Sequence, residues 1–181
     1  MLKILILATP RSGSTLLSRV IGSIFNLEVF YEPFVSGYVG KKYGNKGPHI
    51  VKTLIWDISI KDFNFNNYTH IIYLTRKNIK QAAESYCYHL THNLNKPDKW
   101  HSSYYISEPL DIEKEYKLIE EGYSTLHSLS NNITYYEDIF SGDKKIVNKS
   151  LERIGLDIDY ELIKDKINPI KKYRLNERKL I

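Results

Sequence analysis

Between an apolar run, LKILIL at 2–7, and an amphipathic stretch from 14 to 26 stands Pro10-Arg11-Ser12-Gly13-Ser14-Thr15. A strand, a tight loop containing a glycine and a helix that starts among hydroxyl residues bring backbone N–H groups and the positive helix end to one point, which is an anion site. Ser12, Ser14 and Thr15 add hydroxyl donors, and Arg11 can pair bidentately with phosphate or sulfate without losing its charge near neutrality. The same residues also fit an ordinary βα turn with capping hydroxyls. The Walker pattern G-x-x-x-x-G-K-[ST] is absent, which weakens an ordinary kinase or GTPase reading.

A second constellation lies in IIYLTRKNIKQAAESYCYHL at 71–90, where Arg76 ends a strand and Ser85 follows nine residues later in the next helix. Arginine and serine can share a second anion, or they can be a solvated strand end and a helix-surface hydroxyl. Further along the same line, FYEPF at 30–34 places Glu32 just after a short strand, and HIVKTL at 49–54 carries Lys52. On its own Glu32 fits a solvated loop carboxylate with a turn proline, and Lys52 a solvent-facing strand lysine. His89 and His92 lack a cysteine partner or an H-E-x-x-H pair, so no metal is expected.

The elements that must position these residues follow from hydrophobic period. LKILIL is continuous enough for a strand covered on both faces. Glu28–Phe30, His49–Ile55, His70–Thr75 and Ile133–Tyr136 are further strand candidates, rich in β-branched and aromatic residues. Helices are predicted over 14–26, over 79–89 behind an Asn78/Gln81 capping box, over 112–129 and over 143–154. The segments 36–48 and 91–110 read as long loops whose Tyr38, Tyr43, Trp100, Tyr104 and Tyr105 can stack on a sugar ring or serve as packing. This order predicts an α/β, P-loop-like three-layer sandwich with a mostly parallel central sheet flanked by helices, and ligand at the carboxyl ends of its strands.

Composition sets outer bounds. The 181 residues, 42% hydrophobic, suffice for a single domain over 1–181. Twenty-six Lys and Arg against 21 Asp and Glu give a net charge of +5, which suits anionic small molecules and anionic polymers equally well and does not demand nucleic acid. The single cysteine, Cys87, excludes an internal disulfide, and the short apolar opening stops at Pro-Arg without a cleavage site. No stretch is long and apolar enough to span a bilayer. These features lead to the expectation of a cytoplasmic protein.

On these residues the chain resembles the sulfotransferase superfamily that uses 3′-phosphoadenosine-5′-phosphosulfate (PAPS). PRSGSTLL looks like its 5′-phosphosulfate loop, and YLTRKNIKQAAESY like its 3′-phosphate segment. TYYEDI at 134–139 and RIGLDID at 153–159 look like the stretches that follow. The nine-residue Arg-to-Ser spacing and the Gln-Ala-x-x-Ser run are most similar to the bacterial carbohydrate group, which includes trehalose and nodulation-factor sulfotransferases.

The resemblance implies that Arg11, Ser12, Gly13, Ser14 and Thr15 hold the 5′-phosphosulfate. Arg76 and Ser85 then hold the 3′-phosphate, and Tyr136 lies near the adenine or serves as a core aromatic. Glu32 is implied as the base, with Lys52 steadying the transferring sulfonate. Leu54 stands where cytosolic relatives have a catalytic histidine, and Arg11 stands where many relatives have a lysine able to donate a proton. An arginine there can only stabilise charge and orient the leaving oxygen.

The implied activity is sulfonate transfer from PAPS to a hydroxyl of a carbohydrate or other small acceptor, with no metal. The alternatives are a nucleotide-binding P-loop-like kinase and a non-catalytic PAPS- or nucleotide-binding module. The basic KKYRLNERKLI at 171–181 either closes over the cofactor or is a solvated tail. The chain is short for the superfamily, so acceptor loops are trimmed or a second copy in a homo-oligomer completes the cleft.

Overall fold

The structure is a computed structural model and describes residues 1–34, 47–93 and 111–167. Its centre is β1 (Lys3–Ala8), the KILILA run, in which every residue from Ile4 to Ala8 is buried. A strand this uniformly apolar needs cover on both faces, and it has it. Ile4, Ile6 and Ala8 meet Leu17, Val20 and Ile21 of α1 (Ser14–Phe25) on one side. Leu5 and Leu7 meet Phe30, Val51, Leu126 and Ile133 on the other.

The remaining strands are β2 (Glu28–Tyr31), β3 (His49–Leu54), β4 (His70–Thr75) and β5 (Ile133–Tyr135), in the order β2-β3-β1-β4-β5. Every pairing is parallel, so the expectation of a mostly parallel sheet is met by an entirely parallel one among the described residues. Helices α2 (Ile79–Asn93) and α3 (Ile112–Leu129) cover the Leu5–Leu7 face, joined through Ala82, Ala83 and Ile119. Helices α5 (Lys144–Arg153) and α6 (Tyr160–Ile167) join α1 on the other face through Val147, Leu151, Ile163 and Ile167. The layering is that of an α/β sandwich.

Local chemistry sets the helix ends. Asp111 caps α3 by accepting from the amides of Glu113 at 2.9 Å and Lys114 at 3.4 Å, and Asp143 caps α5 by accepting from Lys145 at 2.8 Å and Ile146 at 3.2 Å. Asn26, in the left-handed region at φ 51°, stops α1 and donates its N–H to the carbonyl of Gly22.

Several boundaries differ from expectation: β2 reaches Tyr31, and α2 runs on to Asn93, so residues 91–93, expected to open a long loop, are helical. Ile55 leaves the sheet to open a 3-10 turn over Ile55–Asp57, because the Asp57 carboxylate captures the Leu54 amide at 3.1 Å. Tyr136 ends no strand but opens α4 (Tyr136–Ile139), a single helical turn. Helix α6 was not anticipated, since only Ile163 and Ile167 mark its buried face.

This topology has a switch point between β1 and β4. β1 and β4 are parallel neighbours, yet β1 leads into α1 on one face while β4 leads into α2 on the other. Loops that part in this way leave a gap at the carboxyl edge of the sheet, the usual ligand position in open α/β folds.

Candidate functional site

The two loops at this switch point are tied together at their base. Thr9, fully buried, donates its amide to the Leu74 carbonyl at 3.1 Å, and its hydroxyl lies 2.9 Å from that of Thr75. Past this tie, Arg11 at φ 56° and Gly13 at φ 76° both enter the left-handed region. That conformation costs a non-glycine residue about 1–2 kcal/mol, so the fold must hold Arg11 in place.

The hold comes from the neighbouring loop. Arg76 Nε donates to the Arg11 carbonyl at 2.6 Å, and Arg11 Nε donates to Ser85 Oγ on α2 at 3.2 Å. Arg11 and Ser85, assigned to different phosphates from the sequence, are therefore in direct contact.

Gly13 is the residue before α1 and offers no capping side chain to the first-turn amides. Ser12 is fully buried, and its Oγ has no hydrogen-bond partner among the described residues. Ser14 is buried and Thr15 exposed. A loop with an uncapped helix start and a buried, unsatisfied hydroxyl has the donor set that a tetrahedral oxyanion needs.

Tyr136 sits under both turns. The Arg76 guanidinium lies over its ring at 4.3 Å. On the Gly13 side, a Cβ added at Gly13 would come within 2.5 Å of the tyrosine Cδ2. Phe140 supports the ring at 4.6 Å between centroids. Tyr136 thus buttresses the two turns as well as lining them.

The expected Asn78/Gln81 capping box forms only in half. Asn78 Oδ1 accepts from the Gln81 amide at 2.9 Å, but Gln81 Oε1 takes a hydrogen bond from Arg76 Nη1 at 3.2 Å instead of returning to Asn78. Glu137 replaces it, accepting from the amides of Lys77 at 2.9 Å and Asn78 at 3.4 Å, while Lys77 Nζ reaches Asp138 at 2.5 Å. Gln81, Glu137 and Asp138 were not among the residues singled out from the sequence as site members. The Glu-Asp pair after Tyr136 was the available signal.

Farther along the same edge, β2 and β3 bring Glu32 and Lys52 together. Tyr31 and Lys52 are register partners, and the Glu32 amide donates to the Lys52 carbonyl at 2.6 Å. Lys52 Nζ then closes an ion pair on Glu32 Oε1, with the lysine side chain 6% and the glutamate 26% exposed. Lys52 is therefore a buried, paired lysine and not a solvent-facing one. Glu32 holds φ 50° directly before Pro33, a position where the proline ring restricts the preceding residue further.

Beside the pair, Asp57 accepts from Leu54 N at 3.1 Å and Thr53 Oγ1 at 3.4 Å. Burial pushes its carboxyl up to about 6; the Leu54 N–H opposes this, the Glu32 charge adds to it, and Lys52 and Thr53 pull it back.

The side chains of His89 and His92, the loop aromatics Tyr38, Tyr43, Trp100, Tyr104 and Tyr105, and the basic stretch 171–181 lie outside the described residues. Among the described residues no group of three or more His, Cys, Asp or Glu is placed to hold a metal ion, and no helix is long and apolar enough to cross a membrane. Compared with family models, curated proteins and solved structures, the chain matches none of them.

Proposed function

We propose that this chain is a PAPS-dependent sulfotransferase acting on a hydroxyl of a carbohydrate or other small acceptor. The observation that carries the reading is the interlock of the two basic turns, with Arg76 Nε on the Arg11 carbonyl and Arg11 Nε on Ser85 Oγ. Two arginines on adjacent βα turns suit a ligand with two separated anionic groups, as in a nucleotide phosphorylated at both 3′ and 5′ positions. The uncapped start of α1 and the buried Ser12 hydroxyl supply donors for the 5′ group.

In this reading the acceptor oxygen attacks sulfur in line with the phosphate oxygen it displaces. The new O–S bond forms as the old one breaks, and the acceptor proton passes to Glu32. Arg11 and the first-turn amides of α1 stabilise charge on the leaving phosphate. A carboxylate is a far weaker base than the alkoxide it would leave behind, so proton removal is concerted with sulfuryl transfer.

The test has two arms. Calorimetry should show adenosine 3′,5′-bisphosphate binding much more tightly than AMP, and equal affinity removes the Arg76 and Ser85 assignment. An acceptor screen with labelled PAPS should then find transfer to a hydroxyl compound. Tight bisphosphate binding with no transfer to any acceptor would leave a binding module.

A further inference from the structure

We propose that Lys52 is a positioning residue that acts as an anion-releasable latch on Glu32. In this arrangement the ammonium neutralises the carboxylate until an anion on the Arg11–Ser14 loop draws it away, and Glu32 becomes an effective proton acceptor only with the sulfonate donor in place. The inference rests on reading that loop as the phosphosulfate site.

The first support is the cost of the lysine's position. A charged side chain only 6% exposed is tolerated because it is paired, and its ion pair is with Glu32. The second is register. Lys52 lies opposite Ile6 of β1 and alternates onto the same sheet face as Ile50, the face covered by α1. Ala8, where β1 gives way to the loop, is two residues beyond Ile6, about 7 Å farther along the strand. The flexible four-carbon stem of lysine lets its ammonium swing toward that end while its Cα stays in the sheet.

The third support is that Glu32 is not free to follow. Its backbone is fixed by the 2.6 Å bond to the Lys52 carbonyl and by the positive φ before Pro33. The ammonium occupies Glu32 Oε1, so moving Lys52 to an incoming anion frees that oxygen for the acceptor proton and brings a positive charge to the donor in one step. Asp57 stands close enough for the charges of both residues to act on it, and Arg19 of α1 is engaged nearby with the Tyr31 hydroxyl at 3.3 Å.

A double-mutant cycle tests this, with inorganic pyrophosphate as the probe for two linked tetrahedral anions. By calorimetry, Glu32→Gln should tighten pyrophosphate about 10-fold in the wild-type background and less than about 2-fold beside Lys52→Met. Lys52→Arg, which keeps the charge, should restore the larger effect. Equal tightening in both backgrounds, or no pyrophosphate binding, overturns the latch. Should Lys52→Met fail to fold, Lys52→Gln completes the same cycle with a polar neighbour left for Glu32. The nucleotide reading is scored separately: coupling without a preference for adenosine 3′,5′-bisphosphate over AMP keeps the latch and removes PAPS, and the converse removes the latch alone.

Discussion

Arg76 Nε donates a 2.6 Å hydrogen bond to the backbone carbonyl of Arg11, so the side chain of one βα turn fixes the left-handed main chain of the next. Replacing Arg76 should accordingly have two effects. Its loss removes a charge-assisted partner for a 3′-phosphate, a bond of about 1.5–3 kcal/mol, and it loosens the loop that presents Arg11. We expect Arg76→Ala to lower affinity for adenosine 3′,5′-bisphosphate by about 10- to 100-fold and to erase its advantage over AMP. Calorimetry on both nucleotides checks this; a retained preference would place the 3′-phosphate elsewhere.

Glu137 closes the start of α2 from 60 residues away in sequence, accepting from Lys77 N at 2.9 Å. Because it also takes the Asn78 amide, Gln81 is left to hold Arg76. Glu137→Ala should cost about 1–2 kcal/mol of stability, as loss of a cap does. Glu137→Gln, which keeps one acceptor oxygen, should recover part of it. Thermal unfolding of the two variants separates this from a purely surface role, for which neither would move the melting temperature.

How much of this was legible in advance depends on how far apart the partners lie. Helix Ile112–Leu129 and strand His70–Thr75 are found at the predicted bounds because their apolar period is long and regular. Only the Gln81 half of the capping box fails, and for a different reason: Asn78 and Gln81 have the right local spacing and Asn78 does accept from the Gln81 amide, but the competitor for the Gln81 role arrives on α4. The Lys52–Glu32 pair was invisible for the same reason. No local spacing links the two residues, and only the parallel register of β2 on β3, which sets Tyr31 beside Lys52, puts an ammonium on that carboxylate. The anion loop was the most legible part, since strand, glycine, hydroxyls and helix are contiguous.

Gly13 provides a stability test of that loop. It holds φ 76°, and an added Cβ would meet Tyr136 Cδ2 at 2.5 Å and Phe140 Cε2 at 2.9 Å. Left-handed strain of about 1–2 kcal/mol and overpacking of about 1–3 kcal/mol act together in Gly13→Ala. We expect a loss of about 2–5 kcal/mol in denaturant unfolding, and a smaller loss from the same substitution in a Tyr136→Ala background, where there is room for the added Cβ. An equal loss in both backgrounds would mean that backbone strain alone is responsible.

Asp57 should make stability fall with rising pH. Its carboxyl is raised to about 6, chiefly by burial, against about 3.9 in an unfolded chain. Below about pH 4 it is protonated in both states. Between that point and about 6 the native state keeps a proton that the unfolded chain has lost, so stability drops across this window, and above it the full cost remains. Asp57→Asn, which still accepts from the Leu54 amide, should melt higher than wild type at pH 7.5 and show little difference at pH 4. Equal melting temperatures at pH 7.5 would contradict the raised carboxyl.

The assignment of the base rests on Glu32 being the carboxylate that receives the acceptor proton. Glu32→Gln keeps the shape and a hydrogen-bonding group near Lys52, so the fold and the loop at Arg11–Thr15 should persist. Transfer from PAPS should fall by about 100-fold or more, the usual weight of a general base, while nucleotide affinity does not decrease. A wild-type rate in this variant would transfer the role to Asp57, whose carboxylate is held by Leu54 and Thr53 beside the same pair. Parallel assay of Asp57→Asn at pH 7.5 decides between them. Loss of turnover there, with Glu32→Gln fully active, would make Asp57 the base and leave Glu32 as the partner of Lys52 alone.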